Sequence, residues 1–447
     1  MSSTIAAIAT AHGIGSIAIV RLSGSAALSI AKTVTDREEF TPRYATLCSL
    51  YNAHHELLDE SIVLYFKAPH SFTAEDVVEF QCHGGLIVAQ RVLQATLDAG
   101  AVLAQPGEFS KRAFLNGRID LSEAEAIAQL IEAQSEDAAA ILAKQMKGSL
   151  RHYIESVRDE LLHILAYSEV SIDYAEEDLP QDLIDQIAAK LHHLHVKLEE
   201  TLAVSQRRAG LMQGFRVSII GKPNVGKSSL LNSLLNYSRA IVSDIAGTTR
   251  DTIEEQIKIG SHLIKIVDTA GIREADDEIE RIGMERTLES VHESDIVIAL
   301  FDGSRIYDAQ DRAIIELIHR FQDTKEIIVV INKSDLKQQF HTAELGEFSP
   351  LQLSCKENNS ALVAALQKIM DATNSSDEIM LISTRQVEAV STTLRAIKAA
   401  HEPLQDQELE ILSFHLNEAL HAIASITRPF ENDEMLDKMF GSFCLGK

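Results

Sequence analysis

The sequence predicts a multidomain protein of mixed α+β and α/β class, with an N-terminal α+β domain, a discontinuous helical domain and an inserted α/β domain with a mostly parallel sheet. Three changes of texture predict it. Residues 1–118 mix short apolar runs with turn signals, patterning turns helical from 120 onward, and residues 215–373 alternate strand and helix before helical texture returns. At 447 residues the chain also exceeds what one ordinary core holds.

In the first region, residues 16–21, 61–66 and 77–81 read as strands, and residues 86–97 as a helix ended by Gly100. Ser122 and Glu125 then fit a capping box, in which each side chain satisfies a bare N–H at a helix start. Ala124, Ile127, Leu130 and Ile131 follow on one helical face. Helical patterning continues to about residue 209, broken near Leu179 and Pro180. Beyond the α/β region, Leu409, Leu412, Leu416, Leu420 and Ile423 recur at spacings of three and four. Amphipathic stripes on both flanks need a partner. The simplest solution is one helical domain, residues 119–210 and 376–447, interrupted by residues 211–375. Two separate helical domains are the alternative.

Apolar content of 45% and charged content of 24% fit a globular chain. No apolar run of about 18 residues predicts a transmembrane helix, and residues 1–16 lack a signal-peptide layout, so a cytoplasmic protein with no membrane partner is expected. Cys48, Cys82, Cys355 and Cys444 are scattered, which disfavours a zinc site or disulfide framework. His192, His193 and His195 crowd one helix without a coherent ligand set, and Asp173, Glu176, Glu177 and Asp178 read as a solvated bend. A net charge of −25 argues against broad non-specific binding to nucleic acid or anionic membrane.

The chemistry is concentrated after residue 215. A buried-strand pattern, residues 215–220, runs into GKPNVGKS, residues 221–228, and then into a helix. This is a P-loop in its required strand–loop–helix setting. Asn224, Val225 and Gly226 supply backbone, Lys227 neutralises phosphate oxygens, the Ser228 hydroxyl is a ligand for Mg²⁺, and Ser229 continues the helix start. Asp268, Thr269, Ala270 and Gly271 follow the next strand pattern; Asp268 is expected to hold Mg²⁺ through water, and the Gly271 N–H to meet the γ-phosphate. Asn332, Lys333, Ser334 and Asp335 follow another. The Asp335 carboxylate accepts from two guanine N–H groups that adenine lacks, so the site selects GTP. Ser354, Cys355 and Lys356 are placed to contact the guanine oxygen, with Cys355 as a small apolar residue. Between the first two motifs, a threonine of the segment Gly247, Thr248, Thr249, Arg250 and Asp251 is expected at Mg²⁺ and the γ-phosphate. Together these define a GTP-hydrolysing P-loop G domain. Many GTPases place Gln after the Gly271 position to orient water; here Ile272 stands there, and an acidic stretch from Asp276 to Glu280 offers carboxylates instead.

The flanks carry further motifs: residues 4–10 (TIAAIAT), 21–24 (RLSG), 68–76 (APHSFTAED), 83–85 (HGG), 106–116 (PGEFSKRAFLN) and 444–447 (CLGK). In order and over the whole chain, these resemble the MnmE family of tRNA-modification GTPases. The resemblance implies an N-terminal tetrahydrofolate-binding domain, residues 1–118, that forms a homodimer. It implies a flavin-dependent partner, MnmG, and formation of an aminomethyl or carboxymethylaminomethyl group on the wobble uridine of certain tRNAs. It implies that 5-formyl- or methylene-tetrahydrofolate contacts Arg21, Glu79, Arg118 and Lys447. It selects Thr249 for Mg²⁺, adds Ser243, Asp244, Ile245 and Ala246 to the nucleotide site, and gives K⁺ to Asn224, Ser243, Ile245 and Thr248. Glu280 takes the catalytic water, and Cys444 the modification chemistry. Ala11 and His12 replace the family's usual proline turn, Leu445 stands where Ile is commoner, and Cys355 where Ala is usual. The competing reading is a GTP-gated RNA or ribosome assembly switch with no modification chemistry, which would need neither Cys444 nor a folate domain.

Overall fold

The computed structural model describes residues 3–11, 13–173, 181–241, 255–267, 280–372, 378–428, 433–443 and 446. The chain forms two compact units, residues 1–131, 144–192 and 388–447 in the first, 132–143 and 193–387 in the second.

The first unit opens with a six-stranded sheet of β1 (Ile5–Ile8), β2 (Ile17–Ser23), β3 (Thr46–Tyr51), β4 (Leu57–Phe66), β5 (Val77–His83) and β6 (Val102–Leu103). Its order is β3-β4-β5-β2-β1-β6, antiparallel except where β1 meets β6. Alternation decides the two faces. Val20, Leu22, Val63, Val78 and Phe80 point to a core closed by helices Ala27–Thr35 and Leu86–Asp98. The opposite face carries Arg21 beside Glu79, paired across β2 and β5, and leaves Ile17, Leu47 and Ile62 exposed.

The helix that follows is capped differently from expectation. It spans Leu121–Glu132, and the capping box is formed by Asp120 and Glu123: the Glu123 N–H donates to Asp120 Oδ1 (2.9 Å), and the Asp120 N–H to Glu123 Oε2 (2.8 Å). Ser122 instead donates its hydroxyl to Asp120 Oδ1 (2.7 Å). An aspartate two residues earlier competes for the same start and wins, because an ionised acceptor bonds N–H groups more strongly than a hydroxyl. Farther on, helix Ser149–Asp173 packs along helix Leu409–Ala424, with the Ser168 and Ser413 hydroxyls 2.7 Å apart across 245 residues of sequence. The apolar stripe of one flank therefore covers that of the other. Leu412, Leu416, Leu420 and Ile423 are buried, as their spacing predicted.

The second unit holds the α/β layer: β7 (Phe215–Ile220), β8 (Glu255–Ile259), β9 (His262–Ile266), β10 (Ile296–Asp302), β11 (Glu326–Asn332) and β12 (Leu351–Gln352), ordered β12-β11-β10-β7-β9-β8. All pairings are parallel except β8 with β9. Successive residues of β10 feed two cores. Ile296, Ile298 and Leu300 meet helices Lys227–Ile241 and Ser360–Ala372 on one face; Val297, Ala299 and Phe301 meet helix Ala309–Phe321 on the other. A strand buried on both faces has to read as the continuous apolar run seen here.

Candidate functional site

The parallel strands β7, β10 and β11 all end at one edge of the sheet, where open α/β folds place ligands. The P-loop leaves β7 there and enters helix Lys227–Ile241, whose first-turn N–H groups suit an anion. Asn224 adopts φ 61° and Gly226 φ 110°. A Cβ on Gly226 would collide with Asn332 Nδ2, so glycine is required by packing as well as by backbone angle. The Lys227 ammonium donates to the carbonyls of Gly221 (2.7 Å) and Lys222 (3.1 Å). Burial lowers its pKa, which makes an anion beside it a favourable partner.

Asn332, at the end of β11, joins three loops. Its Nδ2 donates to the Val225 carbonyl (2.8 Å), and its Oδ1 accepts from the Cys355 N–H (3.0 Å). The P-loop, the Asn332–Asp335 motif and the Ser354–Lys356 loop are thus brought together by one buried amide. Lys333 donates to the Asn224 carbonyl (3.1 Å) and pairs with Asp302 at 2.7 Å. Ser334 and Asp335 are exposed beside them, Ser354 is buried, and Lys356 is exposed. The Cys355 thiol is buried and pushed up to about 11, so it stays protonated at neutral pH and acts as packing.

Two supporting groups escaped the sequence reading. Asp302 ends β10 beside the P-loop strand. Burial alone would raise its pKa, but hydrogen bonds from Lys333 and Ser304 outweigh this and hold it below the ordinary carboxylate value. Within the P-loop, Lys222 is buried and pairs with Asp308 (2.8 Å) and Asp311 (2.6 Å), the two residues of the capping box on helix Ala309–Phe321. A charged residue closing an apolar strand run was the available signal for Asp302. Nothing local marks the Lys222 cluster.

A second constellation lies on the open face of the first unit's sheet. Arg21 Nε donates to Glu79 Oε1 (2.8 Å), and the guanidinium lies 5.9 Å from the Phe72 ring centroid and 5.8 Å from that of Phe109. Its Nη1 donates to the Gly446 carbonyl at 3.4 Å. Gly446 has φ 90°, and a Cβ on it would sit 2.5 Å from the Ile8 carbonyl oxygen. The preceding helix, Asp433–Phe440, is tied down by the ion pair of Lys111 with Asp437 and by Phe440, which packs on Leu121 and Ala124. Arg118, in the same unit, donates from Nε to the Ser71 carbonyl (3.4 Å) and lines a groove with Phe72.

Residues 4–118 match the model described as the GTP-binding protein TrmE N-terminus, and residues 121–444 that of the MnmE helical domain. The tRNA modification GTPase MnmE of Sulfurimonas denitrificans is 68% identical over 444 residues, 99% of each chain. The protein of the same name from Sulfurovum sp. is 57% identical over 447 residues, 100% of this chain and 99% of that one.

The chain belongs to the MnmE family of tRNA modification GTPases.

The MnmE likeness extends through both constellations, yet several expected site residues lie outside the described residues: Ser243, Asp244, Ile245, Ala246, Gly247, Thr248, Thr249, Asp268, Thr269, Ala270, Gly271, Cys444 and Lys447. Glu280 begins helix Glu280–Glu293, but its side chain is likewise outside them. Of the residues expected at the nucleotide, those of 224–229, 332–335 and 354–356 lie on loops joined by hydrogen bonds at one sheet edge. Arg21 and Glu79 form one ion pair.

Proposed function

We propose that this chain hydrolyses GTP in service of wobble-uridine modification of certain tRNAs, in the cytoplasm, with a flavin-dependent MnmG partner and a tetrahydrofolate one-carbon donor. The observation that carries the nucleotide half is the Asn332 amide, which holds the P-loop and both base-recognition loops together. The carboxylate of Asp335 selects guanine, Lys227 binds phosphate oxygens, Ser228 and Thr249 take Mg²⁺, and the remaining residues of 243–249 and 268–271 complete the nucleotide site. The Arg21–Glu79 pair, Arg118 and Lys447 suit a ligand with carboxylates at one end and ring N–H groups at the other. When bound, Mg²⁺ and K⁺ supply positive charge at the phosphates, and the folate supplies a one-carbon unit. The exposed Ile17, Leu47 and Ile62 give the N-terminal sheet an apolar face suited to a second copy of this chain. The domain boundaries that go with this reading are 1–118, 119–210, 211–375 and 376–447.

Asn224 tests the reading of K⁺. Its exposed side chain makes no hydrogen bond among the described residues, and with Ser243, Ile245 and Thr248 it forms the proposed cation set. A cation there does the electrostatic task of an arginine finger. GTP turnover in potassium is therefore expected to exceed that in sodium by roughly tenfold or more at matched ionic strength. Equal turnover in the two salts would remove K⁺ from the site.

A further inference from the structure

Beside the Arg21–Glu79 pair lies a groove of 480 Å³, lined among others by Arg43, Phe66, His70, Ser71, Phe72 and Arg118. Its volume falls in the usual range for small-molecule sites, roughly 300–1,000 Å³. No carboxylate is among its lining residues in the described part of the chain. That is unusual in a chain of net charge −25, where acidic partners abound. Both guanidiniums are braced by main chain instead. Arg43 Nη2 donates to the His70 carbonyl (2.8 Å), and Arg118 Nε to the neighbouring Ser71 carbonyl (3.4 Å). Arg43 also lies 5.9 Å from the centroid of the Phe66 ring. Each guanidinium has five N–H donors and spends one of them in this way. Glu123 is near enough to feel the Arg118 charge, but it does not line the groove.

Phe72 connects this groove to the first site: one ring both lines the groove and lies under the Arg21 guanidinium. A ligand held at Arg21 and Glu79 can therefore extend past Phe72 into a groove that carries two further guanidiniums, Arg118 and Arg43. The chemistry that fits is a short chain of carboxylates. Resting on the folate reading above, we propose that the Arg43–His70–Arg118 groove binds the γ-glutamyl tail of the folate, so that the protein selects polyglutamylated over monoglutamylated folate. Arg118 serves the first glutamate, common to both forms, and Arg43 serves those that follow.

The test is titration of the full-length protein with monoglutamyl and tri-γ-glutamyl 5-formyl-tetrahydrofolate, followed by calorimetry. The triglutamyl form is expected to bind about tenfold tighter or better, with an advantage that shrinks as salt rises. Arg43→Gln is expected to abolish that advantage while leaving monoglutamyl affinity within about twofold, since Arg43 is exposed and outside the Arg21–Glu79 pair. Arg43→Lys is expected to keep part of it, because charge survives without the planar fork. Equal affinities for the two forms in the wild type, or an advantage retained in Arg43→Gln, overturns the tail site while monoglutamyl binding leaves the folate reading standing. Failure of both forms to bind overturns both. A third result, Arg43→Gln weakening tRNA binding with the triglutamyl advantage intact, overturns the tail site and gives the groove to phosphates.

Discussion

Cys444→Ser is expected to abolish wobble-uridine modification in a complemented deletion strain and to leave GTP turnover within about twofold of wild type. Serine keeps the shape and removes most of the nucleophilicity. The bland alternative is a frayed terminus with an incidental thiol. Two observations on neighbouring residues favour function. The Gly446 carbonyl accepts from Arg21, and a Cβ on Gly446 would meet the Ile8 carbonyl, so the tail residue two positions on is seated beside the proposed folate pair. The helix leading to the tail is anchored by Phe440 and by the ion pair of Asp437 with Lys111. Normal modified uridine in the serine variant, measured by mass spectrometry of digested tRNA, would return Cys444 to the incidental role.

Glu280→Ala is expected to lower GTP turnover by about 10²–10⁴-fold, the usual worth of a positioned general base, with GTP affinity nearly unchanged. Ile272 stands where many GTPases carry the water-orienting glutamine, and the proposed mechanism gives that task to a carboxylate downstream. Glu280 opens helix Glu280–Glu293, outside the phosphate-binding and guanine-binding motifs, which is why affinity is spared. Single-turnover kinetics and nucleotide titration separate the two effects. Retained turnover would move the role to Asp276, Asp277 or Glu278.

What could be read from sequence was what is local. GKPNVGKS and the Asn332–Asp335 motif declare themselves because their residues are contiguous and follow buried strands whose patterns are continuous. The helix spacing likewise gave Leu412, Leu416, Leu420 and Ile423 as the buried face, with Leu409, at the helix start, only half-buried. What escaped depends on long-range closure. The Asn332 bond to Val225 spans 107 residues, and the Lys222 bond to Asp311 spans 89. No window of sequence holds both ends. The misplaced capping box is a different failure: Ser122 and Glu125 have the right spacing, but so do Asp120 and Glu123, and pattern alone does not rank an ionised cap above a hydroxyl. Arg43 lay in no motif, and the groove exists only where the segment 68–76 meets Arg43 and Arg118.

The most direct test is mass spectrometry of wobble nucleosides in tRNA from a strain lacking this gene, before and after complementation with the wild-type chain. Loss of the 5-carboxymethylaminomethyl and aminomethyl uridines is expected on deletion, and their return on complementation. Unchanged levels of those nucleosides in the deletion strain would contradict the modification role and favour a GTP-gated assembly switch.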